Sequence, residues 1–326
     1  MKIQKIWYAI AMGLLLLARK DSLAGKSAAD FFPSSGEDAK AYLGRWDLTL
    51  KAPDREYPSW LELTEEGGKL KARMVGRWGN ARALPKVALV DGHLTFVSPK
   101  EEEERPDDMV FEGTLLGQTL SGTLNGLNGV TWQWTGKRAP ALKRSGSAKW
   151  GKPIQMFNGK DLTGWKMSGP SKSAWKVENR TLVTPGEGPE LISEGKFEDF
   201  KLHVEFNCGP DSNSGIYLRG RYEVQIETDS SNEPPDQRMG GVYGFLAASP
   251  KQPRRPGEWQ SYDITLVGRW VTVMQNGTTI IDNKEIPGIT GGALDSHEEL
   301  PGPIYLQGTE KGRVAFRNIV ITPAEK

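Results

Sequence analysis

Residues 213–227 read NSGIYLRGRYEVQIE, two short runs in which apolar and polar side chains alternate on either side of Arg219-Gly220-Arg221. Positions i, i+2 and i+4 of a strand share one face. Ile216 and Leu218 therefore lie with Tyr222, Val224 and Ile226 on an apolar side, and Tyr217 and Arg219 lie with Glu223, Gln225 and Glu227 on a polar one. A tight turn centred on Gly220 and Arg221 makes the two runs antiparallel neighbours.

The same period extends outward. Trp175 to Val177, Thr181 to Val183, Lys201 to Asn207, Tyr262 to Val267, Trp270 to Met274, Thr278 to Ile281, Ile304 to Gln307 and Val314 to Ile321 all alternate, and Asn276-Gly277 joins two of them as a hairpin. So many strands in one half of the chain predict two antiparallel sheets packed face to face. Alternation sets His203, Glu205 and Asn207 opposite Leu202, Val204 and Phe206, and Tyr305 and Gln307 opposite Ile304 and Leu306. These residues are expected to join the polar face of the central hairpin. The stretch from Asp229 to Gly257 has no period and holds five prolines, which marks it as a functional loop.

Upstream, from Gly44 to Arg138, about eight more alternating runs follow one another with Asp91-Gly92 as a hairpin signal, predicting a small up-and-down barrel or sandwich over residues 40–138. Residues 139–153 shift to Pro, Ser, Gly, Ala and Lys and read as a linker, so a chain beginning near Lys149 is expected to fold alone. No mature-chain window carries a long helical period, and helix is confined to segments such as Ala39 to Tyr42. At the N-terminus, Lys2 and Lys5 precede an apolar run from Ile6 to Ala18, with small residues at Ser22 and Ala24. This is the pattern of a signal peptide over residues 1–24 and predicts an exported, periplasmic or extracellular protein with no membrane association after cleavage.

Composition narrows the function classes. The 326 residues carry 42 Lys and Arg against 41 Asp and Glu, a net charge of +1 that offers no field for nucleic acid. Cys208 is the single cysteine, so an intramolecular disulfide and a cysteine zinc site are both excluded. The three histidines, His93, His203 and His297, have no metal-ligand spacing; a divalent metal stays open as cofactor, but no motif is visible. The polar face combines carboxylates, amides, one arginine and aromatics, a set suited to sugar hydroxyls. Glu223 and Glu227 lie about 13 Å apart along a strand, against about 5 to 5.5 Å between the carboxyl groups of a retaining glycosidase. A conventional glycoside hydrolase is thus the last of three readings.

Several strings in order carry a more specific signal: FNGKDLTGW (157–165), NSGIYLRG (213–220), YEVQI (222–226), GEWQSYDI (257–264), VTVMQNG (271–277), GPIYLQ (302–307) and VAFRNIVI (314–321). Together they make residues 154–323 resemble the 3-keto-disaccharide hydrolase family, also described as 3-keto-glucoside 1,2-lyase and 3-keto-2-hydroxy-glucal hydratase domains. The resemblance implies a concanavalin A-like jelly-roll sandwich whose concave sheet faces an oligosaccharide or 3-keto-glycoside substrate. It also implies a lyase or hydratase reaction, in which a C3 ketone acidifies the C2 hydrogen and the C1 substituent is expelled. That chemistry needs a base near C2 and an electrophile at the ketone oxygen. On this resemblance Glu223 or Glu205 is the base, Arg219 the enolate stabiliser, and Asn213, Tyr217, Gln225 and Gln307 are substrate partners. Tyr305 is a further sugar contact, and His203 shares the face of Glu205. Where many relatives read His-Gly in the late loop, this chain has Gly308-Thr309-Glu310-Lys311-Gly312. A non-catalytic carbohydrate-binding protein is the alternative, and the sequence names no protein partner.

Overall fold

Alternation in the first half builds one antiparallel sheet of nine strands. Gly44–Lys51 pairs with both Glu56–Glu66 and Thr131–Arg138, and every other neighbour is consecutive in the chain. The two edges are the successive strands Arg82–Ala83 and Lys86–Val90, so the meander curls until its ends are joined by two residues of chain. The structure, a computed structural model, describes residues 36–325 apart from 78, 170–174, 185, 187, 228–232 and 309–311. The signal peptide expected over 1–24 and the centre of the 308–312 loop lie outside the described residues.

The barrel is solid. Trp46, Leu48, Phe96, Phe111 and Trp134 fill it, with Phe96 stacked on Phe111 at 4.4 Å and Trp134 edge-on to both. Trp134 fits because its neighbour is Gly113, where a Cβ would stand 2.5 Å from the indole. The helix Gly36–Tyr42 packs Ala39 and Tyr42 onto this core.

The second half forms two sheets. The larger orders Lys176–Glu178, Thr181–Thr184, Val314–Pro323, Phe200–Cys208, Gln260–Val267, Trp270–Gln275 and Thr278–Glu285, with Ile154–Gln155 also pairing Val314–Pro323. The smaller orders Trp165–Met167, Leu191–Phe197, Gly302–Leu306, Asn213–Leu218 and Tyr222–Glu227. Neighbours far apart in sequence are what a jelly roll requires and a meander lacks. The inward sets interleave as one core, among them Leu202, Val204 and Phe206 from the large sheet and Ile216, Val224 and Leu306 from the small one. The chain is therefore all-β, a jelly-roll sandwich preceded by a smaller antiparallel barrel.

The halves share more than a linker. In Glu56–Glu66 three successive residues, Ser59, Trp60 and Leu61, are buried, although alternation turns only one side of a strand into its own barrel. Trp60 is the outward one, and it belongs to the sandwich's core: its ring meets Phe245 edge-on at 5.3 Å, and Gly288 leaves room where a Cβ would lie 2.2 Å from the indole nitrogen. Val75 joins the same core. Arg45 bridges to Glu285 at 2.7 Å, Thr49 lies 2.8 Å from Ser296, and the linker's Leu142 carbonyl sits against Gly268. This shared core differs from the expectation that residues from Lys149 onward stand alone.

Candidate functional site

The hairpin quoted at the outset sets the geometry. Its register pairs Tyr217 with Glu223 and Gly215 with Gln225, and the strand on the other side sets Tyr305 beside Tyr217. The Tyr217 and Tyr305 rings stack at 4.2 Å, and Gly215 makes space for the Glu223 carboxyl, which a Cβ there would strike at 2.2 Å. This polar face is covered. Glu223, Gln225 and Glu227 are all buried. Part of the proline-rich loop lines the sheet edge, with Tyr243 N donating to Glu223 O at 3.0 Å and Gly240 N to Gln225 O at 2.9 Å. The segment after Glu285 crosses above, bringing the Thr290 hydroxyl to the Glu223 amide at 3.0 Å.

Burial pushes the Glu223 carboxyl up to about 8, and the Tyr217 contact offsets only part of that. The hydrogen bonds agree. The Tyr217 hydroxyl lies 2.8 Å from the Gly291 carbonyl and 2.9 Å from Glu223 Oε2. The phenol has a single proton to share between these two acceptors, so its help to the Glu223 carboxylate is partial and burial prevails.

Several residues expected on this face lie elsewhere. Arg219 has a φ of +54°, which breaks the period of two at the end of its strand. Its guanidinium turns to the Gly268 carbonyl at 2.6 Å and the Tyr222 hydroxyl at 3.2 Å, away from Glu223. Glu205 and His203 sit on Phe200–Cys208 in the large sheet, on its outer side. Arg317 at 2.6 Å and Asn318 at 2.5 Å hold the Glu205 carboxylate, and His203 Nδ1 lies 2.7 Å from Asp263. Alternation gives a side of a strand but not the sheet it joins, and here it merged two sheets into one face. Gln225 stays on the covered face, its side-chain oxygen accepting from the Ile226 amide at 3.2 Å and its nitrogen donating to the Gln237 carbonyl at 3.4 Å. Asn213, paired with Glu227, and Gln307, whose amide donates to Gly215, stay at the far end of the small sheet.

A cleft of about 180 Å³ opens beside Tyr305, between the halves, walled by Arg55, Tyr57 and Arg77 from the barrel and by Ser168 and Glu190 from the sandwich. Glu190 accepts from the Ser168 hydroxyl and from Tyr305 and lines the opening; Glu56 of the barrel lines it too, but is exposed and lies 3.9 Å from Lys51. Burial first, then the charges of Glu190 and Glu223, raise the Tyr305 phenol, which therefore stays a donor. The guanidiniums of Arg77 and Arg55 lie 4.3 and 4.8 Å from the Tyr57 ring centre. Sequence reasoning missed these residues because most sit at strand ends and in loops, where no period marks a face.

Two further observations concern thiol and metal-ligand side chains. Burial pushes the Cys208 thiol up to about 12, the reverse of what a nucleophile needs. Among the described residues no three of His, Cys, Asp and Glu converge as metal ligands.

Comparison with known proteins adds the following. A family model described as a 3-keto-alpha-glucoside-1,2-lyase-like domain matches residues 152–322, just over half of the chain. A 3-keto-disaccharide hydrolase of Bacteroides thetaiotaomicron is 24% identical over 166 residues, which cover 40% of this chain and 57% of that protein. Two solved structures of provisionally named glycosyl hydrolases from Parabacteroides distasonis ATCC 8503 are similar as well. One is 27% identical with a TM-score of 0.46, covering 55% of this chain and 92% of that one. The other is 21% identical with a TM-score of 0.44, covering 53% and 94%.

Proposed function

The chain belongs to the 3-keto-alpha-glucoside-1,2-lyase-like family through residues 152–322, and on that premise we propose that it cleaves or hydrates 3-keto-glycosides in the cleft beside Tyr305. The observation that carries this reading is Glu190, a carboxylate at the cleft mouth held by the Ser168 and Tyr305 hydroxyls with arginines in the opposite wall. A base there takes the C2 proton, which the neighbouring ketone has acidified. The C2–H electron pair becomes the C1–C2 double bond as the C1–O bond breaks, and the departing oxygen takes a proton from solvent. The product is a 2-hydroxy-3-keto-glucal, to which water adds across the same double bond in the hydratase direction.

Glu223 has a different task. Protonated and closed in, it fixes Tyr217, and Tyr217 fixes Tyr305 through the stacked rings. It acts as a positioning residue behind the cleft, and the base is Glu190.

The test is to incubate the purified chain with a 3-keto-disaccharide and follow enol-ketone absorbance, in parallel with added divalent cation and with chelator. The reading expects absorbance to grow with the wild type and to slow by about 100-fold or more in Glu190→Gln, the scale of a lost general base. A chain that binds the sugar with no change in absorbance is a binding protein, and the proposal fails.

A further inference from the structure

We infer that Arg77, a residue of the barrel, is the cationic group of the sandwich's site and meets the C3 oxygen of the keto sugar. The inference rests on the reaction proposed above and adds to it that neither half holds a complete site.

The reaction places negative charge on the C3 oxygen as the C2 proton leaves, and a fixed positive group there is the largest single aid to such a step. Arg219 of the sandwich is turned into the Gly268 carbonyl and Tyr222. The cations that line the cleft are Arg55 and Arg77, and both come from the barrel. Between them the structure favours Arg77. Arg55 is exposed, whereas Arg77 is half-buried just beyond the strand Lys69–Val75.

Arg77 is also tied directly to the buried network. Its carbonyl accepts from Gly292 N at 3.2 Å, and the neighbouring Gly291 carbonyl accepts from Tyr217. One peptide unit therefore links the backbone of Arg77 to the phenol that contacts Glu223. The guanidinium rests over Tyr57, 4.3 Å from the ring centre, a stacking that orients a planar cation. A guanidinium keeps its charge throughout the pH range of the reaction, so it can steady an enolate oxygen but cannot serve as a proton donor.

The experiment uses the full chain, with Arg77→Met, Arg77→Lys and, as a control on the outer face, Arg317→Met. Turnover of a 3-keto-disaccharide and binding of the same sugar by tryptophan fluorescence are measured on each, with melting temperature as the check on folding. Arg77→Met should lose about 100-fold or more in kcat with a smaller change in KM, Arg77→Lys should recover part of it, and Arg317→Met should match the wild type. Arg77→Met that melts like the wild type and keeps more than half its turnover overturns the inference. If the wild type itself turns nothing over, the reaction is wrong and binding decides. A tenfold or greater weakening in Arg77→Met then keeps Arg77 in the site, while unchanged binding, or none by the wild type, removes it.

Discussion

The outer face of the large sheet and the covered polar face of the small one are written in the same alphabet and live in different solvents. His203-Val204-Glu205 and Glu223-Val224-Gln225 alternate alike. Partial burial pushes the Glu205 carboxyl up, yet hydrogen bonds from Asn318 and Arg317 and the nearby positive charge outweigh it and hold the group below its ordinary value. Glu223, with one phenol and no cation beside it among the described residues, is pushed up to about 8. Alternation says which side of a strand a carboxyl occupies. What lies over that side decides whether it is a salt-bridged surface group or a protonated acid, and here the cover comes from the barrel, the crossing segment and the edge loop.

Removing the cover is the harshest way to break this contrast. Trp60→Ala takes out a fully buried indole on the barrel's docking face, and a cavity of that kind costs about 3–5 kcal/mol. Chemical denaturation should show that loss, and a drop under about 1 kcal/mol would mean the barrel only leans on the sandwich. For the same reason a chain from Lys149 onward should expose Phe245 and melt well below the intact protein.

A gentler probe is pH. The folded state holds the Glu223 proton up to about pH 8, whereas the unfolded chain releases it in the ordinary carboxylate range near 4.3. Its contribution to stability is therefore complete below that range and is lost as pH rises toward and through 8. The melting temperature of the wild type should fall between pH 5 and pH 9 more steeply than that of Glu223→Gln, which keeps the shape and cannot ionise. Parallel curves would show that Glu223 is not protonated in the fold. The smallest effect belongs to the outer face, where Glu205→Gln loses a partly exposed ion pair with Arg317 and should cost at most about 1 kcal/mol by denaturation.

Much of the fold was legible because period-two patterning is strong from Gly44 to Arg138 and again from Trp175 to Ile321. Strand pairing across the 213–227 turn also let the sequence bring Tyr217 and Glu223 together, and the common face of Tyr305 followed. Arg219 was misplaced by a single left-handed backbone angle, which no side-chain pattern announces in a non-glycine residue. His203 and Glu205 were misplaced because sheet membership is a long-range property. Trp60 is an outward residue of a barrel strand, and only its partner in the other half makes it core. Glu190, Ser168 and Arg77 stand outside any periodic run and become a group only when the two halves close on each other.

The most direct measurement sets the two faces side by side: turnover of a 3-keto-disaccharide, followed by enol-ketone absorbance, for Glu190→Gln and Glu205→Gln against the wild type. The chemistry assigned to the cleft predicts a loss of about 100-fold or more in Glu190→Gln and wild-type turnover in Glu205→Gln. Glu190→Gln that keeps more than half its turnover, or a collapse in Glu205→Gln alone, would move the reaction out of the cleft and contradict the account.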